Sequence, residues 1–93
     1  MNHIIKYTKA SLIDLKKYKK KNLQEYKTLL NDIQKIEENP YLSENITIQG
    51  SKCPRCKRMK SGNYRIIYYV HKKKQTVEIV RIIERKKEYR EFK

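Results

Sequence analysis

The sequence predicts an α+β domain in which a helical hairpin packs on an antiparallel sheet, in the order β-α-α-β-β-β. Two helical patterns follow one another in the first half of the chain, and two long runs rich in β-branched and aromatic residues follow at residues 64–70 and 76–83. Only a short turn separates these two runs. Strands joined by short turns run antiparallel, so the runs predict neighbouring antiparallel strands.

A short first strand is predicted at residues 2–7, and a helical pattern begins at Thr8. Either Thr8 or Ser11 can cap this helix, because a hydroxyl oxygen accepts a hydrogen bond from the first turn. Its apolar face is predicted from residues at three-residue steps, Leu12, Leu15 and Tyr18. The run 16–21, which holds five cations, is typical of a solvated helix end and is also consistent with a nucleic-acid contact.

The second helix has the clearest pattern in the chain. Asn22 can cap its start, and Asn39-Pro40 ends it because the residue before a proline is disfavoured in the α region. Its apolar stripe is predicted as Leu23, Tyr26, Leu30, Ile33 and Ile36, with Leu29 beside it. The short separation of the two helices predicts an antiparallel hairpin.

The second half of the chain predicts the sheet. Ile46 and Ile48 alternate with polar residues and indicate a strand that ends before Gly50. Residues 61–63 (Ser-Gly-Asn) predict the turn into the strand at 64–70, and residues 71–75 predict the turn into the strand at 76–83. The tail, residues 86–93, is consistent with a short helix or with disorder.

Charge is the property that most restricts function. The 93 residues form a single domain (1–93), and 24 Lys and Arg against 10 Asp and Glu give a net charge of +14. A small domain needs a net charge of only roughly 2 to 8 for solubility, so the excess predicts a polyanionic partner. No apolar run approaches the roughly 20 residues that span a bilayer, and no signal peptide is evident, which predicts a cytoplasmic protein without a membrane partner.

A basic segment precedes the 61–63 turn. Residues 52–60 contain five cations and no acid: Lys52, Arg55, Lys57, Arg58 and Lys60. On a strand, Arg58 and Lys60 share one face, and Lys57 and Met59 share the other. The segment is consistent with a groove for a nucleic-acid backbone, or with an exposed charged strand that resists edge pairing.

Arg65, Arg85 and Tyr89 lie at the ends of the two late strands and suit a site that handles a phosphodiester. The alternatives are a strand-end ion pair for Arg65, and a surface arginine with a packing tyrosine for the other two. Tyr64, Tyr68 and Tyr69 are expected mainly in the core, although one could stack on a base. The chain has no glycine-rich phosphate loop and no carboxylate cluster that would hold a divalent metal, so the predicted chemistry is metal-free and needs no small-molecule cofactor.

Cys53 and Cys56 form a CxxC motif. A structural zinc site needs four ligands, and the two histidines, His3 and His71, are not at finger spacing and look incidental. Incidental loop cysteines, a disulfide or intermolecular metal clip, and intrachain zinc all stay open.

Taken together, these motifs resemble the RelE/ParE superfamily of toxins from toxin–antitoxin modules, and most closely its RelE-type ribonuclease branch. The resemblance rests on the helical hairpin ending at residues 37–40, the Gly50 segment, the sequence Gly-Asn-Tyr-Arg-Ile-Ile-Tyr at 62–68, and the strand that leads to Arg85 and Tyr89. It implies the toxin of a type II system, a ribosome-dependent endoribonuclease that cuts mRNA in the decoding site. An acidic antitoxin would neutralise it.

The resemblance also implies roles for particular residues. Arg65, Arg85, Tyr89, Arg58 and Lys60 correspond to catalytic positions, with Lys57 less directly aligned. Many relatives carry a histidine where this chain has Glu84, and a salt bridge is expected for this glutamate. ParE-like members share the fold but poison DNA gyrase, and a non-catalytic ribosome- or RNA-binding domain is a third possibility.

Overall fold

The computed structural model describes residues 3–41, 46–47 and 56–84. Within them the elements are β1 (Ile4–Tyr7), α1 (Lys9–Lys21), α2 (Leu23–Glu38), β2 (Ile46–Thr47), β3 (Lys57–Ser61), β4 (Tyr64–His71) and β5 (Thr76–Glu84), with one 3-10 turn at Lys72–Lys74. Neither described helix is long and apolar enough to cross a membrane.

The described strands form one sheet in the order β1-β5-β4-β3-β2. Strands β2 to β5 pair antiparallel, whereas β1 lies parallel to β5. The predicted α+β class is therefore confirmed, but the expectation of a purely antiparallel sheet is wrong at this edge. The chain leaves β1 through both helices before it returns to the sheet, and so long a connection permits parallel pairing. The basic segment also contributes a strand of its own, β3, which the predicted order lacked.

Helix ends follow the predicted capping chemistry. The Thr8 side chain accepts a hydrogen bond from the Ser11 backbone, and Asn22 Oδ1 accepts one from the Glu25 backbone. Asn39 ends α2, and its N–H donates to the Lys35 carbonyl. These caps satisfy backbone groups that have no partner inside a helix, which is why local sequence predicts them well.

The buried faces of the helices match the predicted stripes only in part. In α1 the buried residues are Ser11, Asp14, Leu15 and Tyr18, whereas Leu12 is 48% exposed. In α2 they are Leu29, Asp32, Ile33 and Ile36, whereas Leu23 and Leu30 are 53% and 39% exposed. Each helix is rotated so that polar residues enter the contact surface, and α1 gives the physical reason.

Polar side chains of α1 close an edge of β5. Strand β1 pairs with β5 only as far as Ile79, so the next backbone groups of β5 need other partners. Thr8 Oγ1 donates to the Val80 carbonyl at 2.7 Å, and the Tyr18 hydroxyl donates to the Ile82 carbonyl at 2.9 Å. Asp14 Oδ2 accepts from the Ile82 N–H at 3.0 Å. The helix thus replaces a neighbouring strand, which requires hydrogen-bonding residues on its buried face.

The hydrophobic core lies between the sheet and the helices. Strands β4 and β5 supply Tyr64, Ile66, Tyr68, Val77, Ile79 and Ile82, which pack with Leu15, Tyr18, Leu29, Ile33 and Ile36 of the helices and with Met59 of β3. A register shift after Ile67 pairs Tyr68 with Ile79 instead of Val80. This irregularity brings both Ile79 and Ile82 to the helix side, although their odd separation would place them on opposite faces of a regular strand.

Candidate functional site

The β3–β4 hairpin brings the predicted cations together. Gly62 begins its two-residue turn with φ +59°, a left-handed conformation that costs glycine little. Glycine at the first turn position is the sequence requirement of a type II′ hairpin, whose twist matches the two strands. The turn sets the register in which Lys60 lies opposite Arg65 and Arg58 lies opposite Ile67.

The register divides the basic strand between two faces. Arg58, Lys60 and Arg65 share the face that points away from the helices, because Met59 and Ile66, next to them in sequence, pack in the helix-side core. Lys57 pairs with Tyr68 and so belongs to the helix side. The structure thus brings together three of the predicted site residues and separates Lys57 from them.

Arg65 is the most constrained of the three cations. Its side chain is buried, with 7% of the residue exposed, and its Nη1 donates to the carbonyl of Tyr64 at 3.0 Å. Arg58 is half-buried and Lys60 is exposed. A guanidinium retains its charge when buried and carries five donors in a planar fork. Arg65 is therefore a fixed cation with exposed Lys60 as its cross-strand neighbour.

The remaining predicted cations and the late tyrosine lie outside the described residues. This applies to Lys52, Arg55, Arg85 and Tyr89, and to Cys53. Their roles stay predictions. Glu84, the residue before Arg85, is described: both of its carboxylate oxygens accept from Lys21 Nζ at 3.0 Å. The salt bridge expected for Glu84 is confirmed.

The tyrosines of β4 divide between core and surface. Tyr64 and Tyr68 are buried, and their hydroxyls donate to Glu25 Oε1 at 3.0 Å and to the Pro40 carbonyl at 2.8 Å. Burial, with the Glu25 carboxylate beside it, raises the pKa of Tyr64 to about 12, so this phenol remains a donor at neutral pH. Tyr69 is only half-buried, and its ring lies 4.6 Å from the ring of His71. Tyr69 is thus the β4 tyrosine with ring surface left to meet a ligand.

Cys56, His3 and His71 each have contacts within the fold. Cys56 is fully buried with Ile67 and Ile83 on the sheet face opposite the helices, and its sulfur is disulfide-bonded. His71 Nε2 lies 3.2 Å from Glu78 Oε1, and the His3 backbone N–H donates to the Glu37 carbonyl. Among the alternatives for the cysteines, the bonded sulfur of Cys56 favours a disulfide.

Glu25 is a residue near the site that sequence reasoning missed. It accepts hydrogen bonds from Asn63 and Tyr64, the two residues before Arg65. The spacing of Asn22 and Glu25 indicates a capped helix start, but the turn that the carboxylate contacts is 38 residues further along the chain. Local sequence carries no signal for such a contact.

Solved structures with the same architecture include toxins of toxin–antitoxin systems. A RelBE toxin–antitoxin complex from Mycobacterium tuberculosis matches with a TM-score of 0.76 at 17% identity, over 91% of this chain and 100% of that one. The RelE–RelB complex from Pyrococcus horikoshii gives 0.70 at 21%, over 94% and 99%. The isolated RelE toxin of Escherichia coli gives 0.75 at 20%, over 91% and 86%. At these identities the likeness shows the fold alone, that of a RelE-like toxin domain.

The sequence itself supplies the family. Residues 5–89 match the family described as the ParE toxin of the type II toxin–antitoxin system parDE. The match covers nearly the whole chain, which therefore belongs to this family of toxins, within the RelE/ParE superfamily. No curated protein matches the chain significantly. The predicted resemblance to this superfamily is confirmed.

Proposed function

We propose that this toxin is a metal-independent endoribonuclease that cleaves mRNA on the ribosome, in the cytoplasm. One observation carries the proposal: Arg58, Lys60 and Arg65 share one sheet face, and the most constrained of them, Arg65, is a buried guanidinium. Cations aligned on a strand suit a phosphate backbone, and a fixed guanidinium suits a phosphate that gains charge during reaction.

The proposed reaction is an attack by the RNA on itself. The 2′-oxygen forms a bond to the adjacent phosphorus while the bond from phosphorus to the 5′-oxygen breaks, which leaves a cyclic phosphate and a 5′-hydroxyl. A base takes the proton of the 2′-hydroxyl, and the leaving oxygen gains a proton. Arg65 clamps the phosphate with parallel hydrogen bonds and stabilises the five-coordinate transition state, since aligned donors act where charge develops.

The other site residues have supporting roles in this proposal. Lys60 and Arg58 hold the neighbouring phosphates, and Lys52 and Arg55 extend the contact along the backbone. Tyr89 stacks on a base or transfers a proton, and Arg85 steadies the leaving oxygen. An unperturbed lysine or tyrosine has a pKa of about 10, so a base of either type needs the surrounding cations to lower that value.

The second candidate function is inhibition of DNA gyrase. It is favoured by the family description, which names the ParE toxin of parDE systems. The cationic set favours the ribonuclease, because ParE-like members usually lack the combination that corresponds to Arg65, Arg85 and Tyr89 here. Both functions share a protein partner, and we propose an acidic antitoxin that covers the basic face.

Primer extension on a translated message, with and without ribosomes, tests the proposal. The ribosomes are first assembled on the message and cross-linked, so that they survive a metal chelator. The expected result is RNA cleavage that occurs with the chelator present and only when ribosomes are present. A parallel assay for DNA breaks in gyrase reactions tests the second candidate. Breaks without RNA cleavage would replace the ribonuclease with a gyrase toxin, and footprints on ribosomal RNA without either product would indicate a binding protein.

A further inference from the structure

The turn between the helices touches the strand ends that carry the proposed catalytic arginines. Glu25 Oε2 accepts from Asn63 Nδ2 at 3.1 Å, and Glu25 Oε1 accepts from the Tyr64 hydroxyl at 3.0 Å. Asn63 and Tyr64 directly precede Arg65, whose Nη1 donates to the Tyr64 carbonyl. Tyr64 therefore links the two groups, because its hydroxyl contacts the carboxylate of Glu25 and its backbone carbonyl contacts the guanidinium of Arg65.

Helix capping explains why Glu25 is available for this contact. Glu25 is the third residue of α2, where a glutamate commonly accepts from the backbone N–H of the capping residue. Here the capping residue is Asn22, which also ends α1, and its N–H donates to the Tyr18 carbonyl at 3.0 Å. Because one residue serves both helices, the usual partner of the Glu25 carboxylate is already engaged.

Lys21, which directly precedes Asn22, contacts the end of β5. Lys21, the last residue of α1, binds both carboxylate oxygens of Glu84 at 3.0 Å, and Glu84 directly precedes Arg85. Glu84 also pairs with Tyr64 across the sheet. The two contacts of the helical turn thus converge on one pair of strand ends.

The ring of Tyr18 supports the same contact from the core. It is fully buried, its centroid lies 4.4 Å from that of Tyr64, and its hydroxyl donates to the Ile82 carbonyl. The Tyr64 ring is therefore fixed by packing and its hydroxyl by Glu25. Removal of the hydroxyl alone would leave the packing in place.

We propose that the turn between α1 and α2 is a positioning latch for the active site, in which Glu25 fixes the β3–β4 turn and thereby the guanidinium of Arg65. This inference rests on the proposed ribonuclease function. Glu25 does not touch RNA; it acts through Tyr64 and Asn63. Lys21 acts in the same way on the end of β5.

Single-turnover cleavage on programmed ribosomes separates positioning from binding. Glu25→Ala and Tyr64→Phe should lower the maximal rate by about 10- to 100-fold, the effect of a displaced catalytic group, without raising the half-saturating toxin concentration. Glu25→Gln keeps an acceptor for the Tyr64 hydroxyl and should recover part of the rate. The double variant Glu25→Ala with Tyr64→Phe should be little slower than Glu25→Ala, because the two changes remove one shared contact.

Glu38→Ala is the matched control. Glu38 is an exposed acid in the last turn of the same helix, and its removal changes the net charge as Glu25→Ala does. Any gain in electrostatic attraction to RNA is therefore common to both variants. Tyr64→Phe, which keeps the ring, preserves the test should Glu25→Ala fail to fold.

Two results would overturn the latch. One is a maximal rate for Glu25→Ala and Tyr64→Phe equal to that of Glu38→Ala, and the other is a loss confined to binding. If the wild-type chain cleaves no RNA, the proposed function fails instead, and NMR then tests the latch directly. The Arg65 Nε–Hε signal should shift or broaden in Glu25→Ala and not in Glu38→Ala, and an unchanged Arg65 signal would refute the latch without reference to any reaction.

Discussion

Arg65 shows how a single residue can link fold and chemistry. It lies in a strand whose other members are Tyr, Ile, Val and His, and it is buried. A charge in such surroundings is costly unless hydrogen bonds and counter-charges compensate for it. The backbone carbonyl of Tyr64 accepts one such hydrogen bond from Arg65 Nη1. A guanidinium fixed in this way suits the proposed role of Arg65 as a preorganised donor to a phosphate.

Substitution of Arg65 tests that role. Arg65→Ala should lower the cleavage rate by about 100- to 1000-fold, because loss of one preorganised donor costs ~3 to 4 kcal/mol in the transition state. Arg65→Lys keeps the charge but loses the planar fork, so its cleavage rate should lie between those of the wild type and Arg65→Ala. Cleavage is measured by primer extension, and thermal unfolding with antitoxin binding serves as the control for folding. If Arg65→Ala cleaves RNA at the wild-type rate, Arg65 has no role in the reaction.

At the scale of elements, the two sides of the β5–β4 pair have different neighbours. On one side α1 takes the place of a strand along the second half of β5, and on the other side β3, which lies between β4 and β2, carries the basic residues. Helix side chains can satisfy an open strand edge only if they are polar and correctly spaced. This requirement explains the buried Asp14 in a helix whose Leu12 and Ile13 remain exposed.

Asp14 is the residue on which the closed edge of β5 depends. It is 5% exposed and accepts from the Ile82 N–H at 3.0 Å and from Arg81 Nε at 2.8 Å. Asp14→Ala should destabilise the fold by about 3 to 5 kcal/mol, because it removes the acceptor of the buried Ile82 N–H and the carboxylate that binds the partly buried Arg81. The matched change Asp32→Ala removes a carboxylate whose ion pair is with an exposed lysine, Lys35, at 3.4 Å, and should cost clearly less.

Denaturant unfolding of both variants measures the difference. If Asp14→Ala and Asp32→Ala lower the free energy of unfolding equally, the contact of Asp14 with the edge of β5 does not contribute to stability. A change in the slope against denaturant would indicate an altered unfolded or native state instead of a simple loss of stability.

The basic strand offers a comparison between its two faces. Lys60→Ala and Lys57→Ala remove the same charge from the same strand, but only Lys60 shares a face with Arg65. If Lys60 neutralises one phosphate, its removal should flatten the plot of log affinity for single-stranded RNA against log salt by about 0.7. Lys57→Ala should leave this slope unchanged, as measured by filter binding or fluorescence anisotropy. Equal slopes for the two variants would mean that the sheet faces do not decide RNA contact.

At the scale of the whole molecule, net charge dominates. A charge of +14 on 93 residues repels itself, and much of it lies on exposed lysines of α1 and of the β4–β5 turn. Charges separated by more than about 10 Å are screened at 0.1 M salt. Self-repulsion should therefore weaken the free toxin at low salt, and an acidic antitoxin should relieve it.

Thermal unfolding against salt tests this expectation. The melting temperature of the free toxin should rise as salt is added, by ~4 to 8 °C for each kcal/mol of repulsion relieved in a domain of this size. The antitoxin complex should show a smaller rise, since its charge is already partly neutralised. A melting temperature that falls with salt would show instead that ion pairs such as Lys21–Glu84 and Arg81–Asp14 outweigh the repulsion.

The sequence by itself determined the helix ends, the hairpin turn and the alternation of the basic residues. The caps at Thr8, Asn22 and Asn39, the turn at Gly62 and the alternation around Arg58 and Lys60 all depend on contacts between residues close in the chain. Capping, turn geometry and strand alternation are local rules, so local sequence predicts them. The superfamily, and with it the class of partner, followed from the order of these motifs.

Only the tertiary structure decided how the elements meet. The parallel pairing of β1, the irregular pairing after Ile67, the use of Asp14 along β5 and the contact of Glu25 with the β3–β4 turn all join groups far apart in sequence. Leu12 and Leu23 were expected in the core but are exposed. A periodic pattern identifies an apolar stripe, but it does not give the rotation of the helix against its neighbour. For α1, that rotation is set by the backbone groups of β5 that its side chains must satisfy, and these depend on where β1 ends beside β5.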